Sequence, residues 1–130
     1  MPETLSRWFE NPSRWRLRYA EMIARRIDGA AMGVEAVYLI GSVKNHTAGP
    51  GSDVDLLIHV RGTQAQQETL VTWLRGWGES MAGINEALTG LPSDNLLDIH
   101  LVTDEDIRRK TSYAVMIGSL YDRAKPLKMR

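Results

Sequence analysis

Residues 53–60, Asp-Val-Asp-Leu-Leu-Ile-His-Val, constrain the fold of this chain more than any other stretch. Side chains alternate between faces along a β-strand. Val54, Leu56, Ile58 and Val60 then form one wholly apolar face, and Asp53, Asp55, Leu57 and His59 fall on the other. Such a strand settles with one face on a core and with acids at the start of the opposite face. Residues 96–102 divide the same way: Leu97, Ile99 and Leu101 share one face, Asp98 and His100 the other. If the two strands lie side by side with their acids level, Asp53, Asp55 and Asp98 converge on one spot.

The flanking sequence supplies the rest of a small α/β architecture. Asn11-Pro12-Ser13 reads as a helix start, and Trp15, Tyr19, Met22, Ile23 and Ile27 recur at helical spacing up to a stop near Asp28-Gly29. Residues 34–40 are rich in β-formers and run straight into Gly41-Ser42; residues 43–51 hold Asn45, Gly49-Pro50 and Gly51 and read as loop. Thr63 with Gln66 forms a capping-box pattern for a helix to about Arg75, with Leu70, Val71 and Leu74 as its apolar stripe. Gly76 and Gly78 are expected to break it, with a second helical piece over about 79–88. Leu91-Pro92-Ser93-Asp94 is a turn, 96–102 a third strand, and Thr103 with Asp106 caps a last helix. Residues 114–121 fit a helix or a strand equally. With 130 residues, no repeat and no linker, the chain is expected to be one domain over 1–130: a small sheet with helices covering one face.

Converged carboxylates repel by several kcal/mol at about 4 Å in a partly shielded setting, so either one acid has a raised pKa or a cation sits among them. Asp53 and Asp55 are about 6.7 Å apart along a strand, near enough to lean together on one or two hard ions. Oxygen ligands select magnesium or manganese, and magnesium commonly fills its remaining positions with phosphate oxygens. Gly41-Ser42 meets that demand where a strand ends, offering backbone amides, a hydroxyl and no obstructing Cβ. Asp53 follows Ser42 by eleven positions.

Taken together, Gly41-Ser42, Ser52-Asp53-Val54-Asp55-Leu56-Leu57-Ile58 and Asp98 resemble the signature of the DNA polymerase β-like nucleotidyltransferases, most of all the minimal nucleotidyltransferases. The resemblance spans about 34–102. It implies a mixed sheet with helices on one face and an open catalytic face. It also implies a metal site of Asp53, Asp55 and Asp98 holding Mg2+ (or Mn2+), with Asp98 activating the attacking hydroxyl. The resemblance implies that Gly41 and Ser42 hold the triphosphate, and Lys44 and Ser52 are expected to complete the nucleotide-binding set. Where many relatives follow the Gly-Ser with alternating arginines and a glycine, this chain has Val43, Lys44, Asn45 and His46, leaving Lys44 as the only cation there. The expected reaction moves a nucleoside monophosphate from a nucleoside triphosphate, ATP first, to a hydroxyl of a protein, a small molecule or an RNA. Only 32 residues follow Asp98, so a protein partner or a second copy is expected to complete the acceptor site. By analogy the partner is a small helical protein of a toxin–antitoxin pair.

A rival reading is a catalytically silent module of the same fold that binds a protein or RNA partner, although such a role has no need of three crowded acids. A structural calcium cluster lacks the dense oxygen-ligand loop that it requires. His46, His59 and His100 each read as satisfied polar residues before catalytic ones, and His100 stands out because it shares a face with Asp98. Sixteen basic and sixteen acidic residues cancel, yet they segregate: six arginines face three glutamates over 1–26, and seven basic residues face Asp122 alone over 107–130. That asymmetry permits a polyanionic partner, while solvated helix faces account for it as simply. The absence of cysteine excludes disulfides, thiolate zinc sites and thiol nucleophiles and suits the cytoplasm. No apolar run is long enough to span a membrane, and the first ten residues do not read as a signal peptide.

Overall fold

The computed structural model describes residues 3–130. Four strands form one mixed sheet: β1 (Val34–Ile40), β2 (Val54–Val60), β3 (Leu97–Val102) and β4 (Lys125–Leu127), in the spatial order β3-β2-β1-β4. β1 pairs antiparallel with β2 and with β4, whereas β2 and β3 run parallel. A parallel pair cannot be joined by a tight turn and needs a long crossover. Here the crossover is a helix, numbered α5 in chain order (Gln64–Thr89), opened by a complete capping box. The Gln66 amide donates to Thr63 Oγ1 at 3.1 Å, and the Thr63 amide donates to Gln66 Oε1 at 2.9 Å.

This helix is continuous over 26 residues, not the two pieces that Gly76 and Gly78 suggest. Its buried stripe, Leu70, Leu74, Gly78, Met81, Ala82 and Asn85, keeps helical spacing straight through the glycines. Gly78 is there because the chain entering β3 lies against it. A Cβ on Gly78 would collide with Asn95 Oδ1. Asn95 itself donates to the Arg75 carbonyl at 3.0 Å and accepts from the Leu97 amide at 2.9 Å, and the Leu96 amide donates to the Gly78 carbonyl at 3.0 Å. The glycine marks a long-range contact rather than a break.

The helix preceding the sheet, α2 (Pro12–Arg25), follows α1 (Glu3–Glu10) and starts as expected, with Asn11 Oδ1 accepting from the Arg14 amide at 3.0 Å. It stops at Arg25, earlier than the expected Asp28-Gly29. Asp28 instead caps a separate single turn, α3 (Gly29–Met32), which Gly33 closes at φ 69°. Ile23 and Ala24 of α2 pack with Trp15, Val54, Leu56, Ile58 and Val60, Leu70, Leu74 and Leu97 into the main core on one face of the sheet. The opposite face holds a smaller cluster of Ile40, Leu57, Val102, Ala114 and Ala124. Ile107 of α6 (Asp104–Arg109) packs on that cluster, and a 3-10 turn over Ser112–Met116 contributes Ala114 and Met116. Residues 114–121 therefore contain neither a full helix nor a strand. β4 is three residues long with Pro126 at its centre, tolerated because an edge strand needs fewer amide donors. Among the described residues no helix is long and apolar enough to cross a membrane.

The glycines of α5 should separate sharply in a stability assay. Gly78→Ala forces Asn95 and the start of β3 to move, and should cost about 2–4 kcal/mol despite alanine's better helix propensity. Gly76→Ala, exposed and with open space around it, should stabilise by about 0.5–1 kcal/mol in the same urea titration. Equal effects at the two positions would contradict the contact described.

Candidate active site

The parallel ladder sets Asp55 of β2 directly beside Asp98 of β3, and the antiparallel ladder sets Ile40, the last residue of β1, beside Asp55. The chain then turns at Gly41, with φ 77°, into a single helical turn, α4 (Gly41–Lys44). Gly41 is required twice: by its left-handed backbone, and because a Cβ there would collide with Asp55 Oδ2. The space beside Gly41 is thus taken by a carboxylate of the site. The Ser42 carbonyl accepts from the Thr47 amide at 2.9 Å, closing the loop that follows.

Asp55, Asp98 and His100 bring one ligand atom each within 4.8 Å of one another. His100 Nε2 lies 3.4 Å from Asp98 Oδ2 and 3.8 Å from Asp55 Oδ1. The Tyr113 ring covers the imidazole, with centroids 4.0 Å apart and planes tilted by 40°. Asp53 stands just before β2, exposed and outside this tightest group, yet inside its field. Burial pushes the Asp55 pKa up, as do the Asp98 charge, a hydrogen bond between the two carboxyls and, last, Asp53; His100 opposes the rise. Burial and the Asp98 charge push Asp53 up as well, against the pull of Arg16. Crowded carboxyls with raised pKa values are what a divalent cation would relieve. Two carboxylates and an imidazole with ligand atoms within 4.8 Å of one another suit such an ion, so the residues fit a metal.

Asp53 reaches this place on a loop that is clamped from behind. Arg16, fully buried on α2, donates from Nε to the Ser52 carbonyl at 2.9 Å and from one terminal nitrogen to the Pro50 carbonyl at 3.1 Å and Asn85 Oδ1 at 3.0 Å. Asn85 of α5 returns a bond from Nδ2 to the Pro50 carbonyl at 2.8 Å. Burial disfavours the Arg16 charge, and the charge of Asp53 favours it. Ser13 Oγ accepts from the Ala48 amide at 2.9 Å, a further tie between α2 and the loop.

Of the residues expected to hold nucleotide, Gly41 adjoins the acids through Asp55, and Ser42 follows it in α4. Ser52 is engaged within its loop, its Oγ accepting from the Gly49 amide at 2.9 Å. Lys44 is turned to the tail: Nζ donates to Asp122 Oδ1 at 2.6 Å and to the Arg123 carbonyl at 2.8 Å. His59 lies 2.6 Å from Asp104, and His46 is exposed at φ 59°. Sequence reasoning gave His100 less weight than its position deserves and overlooked Arg16, Asn85 and Tyr113. The signal for Arg16 was its place on the same helical stripe as Ala20, Ile23 and Ala24, where a charge needs a reason.

The family model of the nucleotidyltransferase domain matches residues 20–114. The chain belongs to that family. The matched span holds Gly41-Ser42, Asp53, Asp55, Asp98, His100 and Tyr113, and the family's general chemistry is transfer of a nucleoside monophosphate. Comparison with curated proteins and with solved structures gives no significant match.

Two expectations follow for this nucleotidyltransferase domain. Arg16→Met removes the donor to the Ser52 carbonyl and Asn85 Oδ1 and one of the two donors to the Pro50 carbonyl, and should cost about 3 kcal/mol in denaturant unfolding, well beyond an average substitution. The acids should act with the opposite sign. A carboxyl whose folded pKa is raised adds stability below its unfolded pKa and loses that contribution as pH rises through the folded value. Asp55→Asn should therefore raise the melting temperature of the metal-free protein at pH 7 by about 2–4 °C, and the advantage should shrink as pH falls toward 4. A variant that melts lower at both pH values would contradict this reading.

Proposed function

We propose that this domain transfers a nucleoside monophosphate from a nucleoside triphosphate, ATP first, to a hydroxyl acceptor, using Mg2+ or Mn2+ held by Asp53, Asp55 and Asp98. The observation that carries the reading is the side-by-side placement of Asp55 and Asp98 next to the Gly41 turn. It supports a centre where a triphosphate tail at Gly41-Ser42 would meet a cation held by carboxylates. Bound there, a divalent ion would withdraw charge from the phosphates and ease ionisation of the attacking hydroxyl. The acceptor oxygen bonds to the α-phosphorus, the bond from that phosphorus to the bridging oxygen breaks, and pyrophosphate leaves with the electron pair. Asp98, exposed on an edge strand, is the group best situated to take the acceptor's proton. Arg16 keeps the loop before Asp53 in place, so that this carboxylate is aimed without reorganisation.

The acceptor is a hydroxyl of a protein, a small molecule or an RNA, and a small helical partner of a toxin–antitoxin pair is the protein candidate. Lys44 contributes to triphosphate binding only after letting go of Asp122. Each labelled triphosphate, incubated with Mg2+ and a lysate of the source cells, should label one acceptor. Asp98→Asn should slow that labelling by about 10²–10⁴-fold, and Asp53→Asn should abolish it. Labelling that persists in both variants would overturn the assignment. No labelling, with triphosphate binding that ignores Mg2+, would point to a silent binding module.

A further inference from the structure

The three-aspartate reading leaves His100 without a task, although its ring nitrogen faces the gap between Asp55 and Asp98. We propose that His100 is a nitrogen ligand of the same centre, making it favour manganese over magnesium, with Tyr113 as the plate that fixes the imidazole. The proposal rests on the metal site proposed above and adds the identity of the ion it prefers.

Three observations converge on it. Asp98 and His100 are two residues apart on β3 and so point to the same face, while Asp55 stands beside Asp98 in register. The spacings from the histidine match those around one ion: with bonds of about 2.1 Å, ligands at right angles are about 3 Å apart and opposite ligands about 4.2 Å apart. The two distances from His100 Nε2, 3.4 and 3.8 Å, fall between those limits. Finally, the imidazole is held on its other side. Tyr113 stacks at 4.0 Å, and it is anchored by its neighbour Ala114, which is 2% exposed and whose amide donates to the Thr111 carbonyl at 3.0 Å. Only 17% of the His100 side chain is exposed. A ring so placed loses little rotamer freedom on joining a metal.

The consequence for metal choice follows from ligand softness. Magnesium takes oxygen ligands almost without exception and keeps several waters, whereas imidazole suits first-row transition ions. Adding an imidazole to the carboxylates therefore disfavours magnesium relative to an all-carboxylate set. Among the transition ions, manganese retains the strongest preference for carboxylate, which makes it the ion that uses both the carboxylates and the imidazole.

The test uses the full chain, stripped of metal, with MnCl2 and MgCl2 as probes and no nucleotide. Free manganese is followed by electron paramagnetic resonance, magnesium by competition, and pulsed resonance reads nitrogen bound to manganese. Nitrogen coupling is expected in the native protein. His100→Phe, which keeps a ring against Tyr113 but no ligand atom, should lose that coupling and about 100-fold in manganese affinity, while magnesium affinity changes by less than about threefold. Tyr113→Ala should weaken manganese binding by about tenfold, and Tyr113→Phe should leave it unchanged. Absence of nitrogen coupling in the native protein overturns the proposal, as does an equal loss of both ions in His100→Phe, which would make the histidine a hydrogen-bonding prop for the carboxylates. Asp55→Asn separates the two levels of inference. If it abolishes manganese binding while His100→Phe leaves it intact, the metal site stands and the ligand assignment falls. Manganese held equally well by Asp55→Asn would remove both.

Discussion

The parallel pairing of β2 with β3 is the constraint on which everything else rests, because it holds two like charges against each other at Asp55 and Asp98. The force for this comes from the opposite face. Val54, Leu56, Ile58 and Val60 are each no more than 2% exposed, and burying four such side chains is worth roughly 6–10 kcal/mol. Repulsion between two carboxylates about 4 Å apart near a protein surface is nearer 4 kcal/mol. Burial wins, and the acids have no alternative: a one-residue slip would carry the apolar set out of the core. Register is fixed locally as well, through the Val54 amide donating to the Leu96 carbonyl at 2.7 Å and the Leu96 amide donating to Gly78. The crowded acids are thus kept in place by a core on the opposite face of the sheet.

Much of this was written in short-range patterns. Period-two alternation over 53–60 and 97–102 marks both strands and separates acids from core before any coordinate is seen. The capping boxes at Thr63 and Thr103 are local hydrogen-bond geometry, and both form. The parts that escaped depend on contacts distant in sequence. Gly78 looks like a helix breaker until Asn95 is known to lie on it. Arg16 looks like a solvated charge until the carbonyls of Pro50 and Ser52 arrive from 34 and 36 residues away. β4 has three residues, one a proline, and its existence is decided by β1, not by its own sequence. His100 carries one local mark, the strand face that it shares with Asp98, and Asp55 and Tyr113, from two other segments, add the rest.

The acids sit on strands or against a clamped loop, while Tyr113 and Asp122, which touch His100 and Lys44, belong to the segment between α6 and β4. That segment therefore bears on the site from two sides: once over the imidazole, once on Lys44, which follows Gly41-Ser42 in α4. Coupling of this kind ties the conformation of the tail to the electrostatics around the glycine turn.

Helix α5 touches the centre at two points without contributing a residue to it. Gly78 receives the strand that bears Asp98, and Asn85 braces the loop that leads to Asp53. They are seven residues apart, about 10.5 Å along the axis and only about 20° short of two full turns, so both face the sheet. The helix acts as a ruler between the two halves of the acidic site. Drift in this family can change its surface freely, but gaining or losing a single residue between those marks would swing one of them about 100° away. Length variation among homologous domains should accordingly collect beyond the marks, in the turn after Thr89.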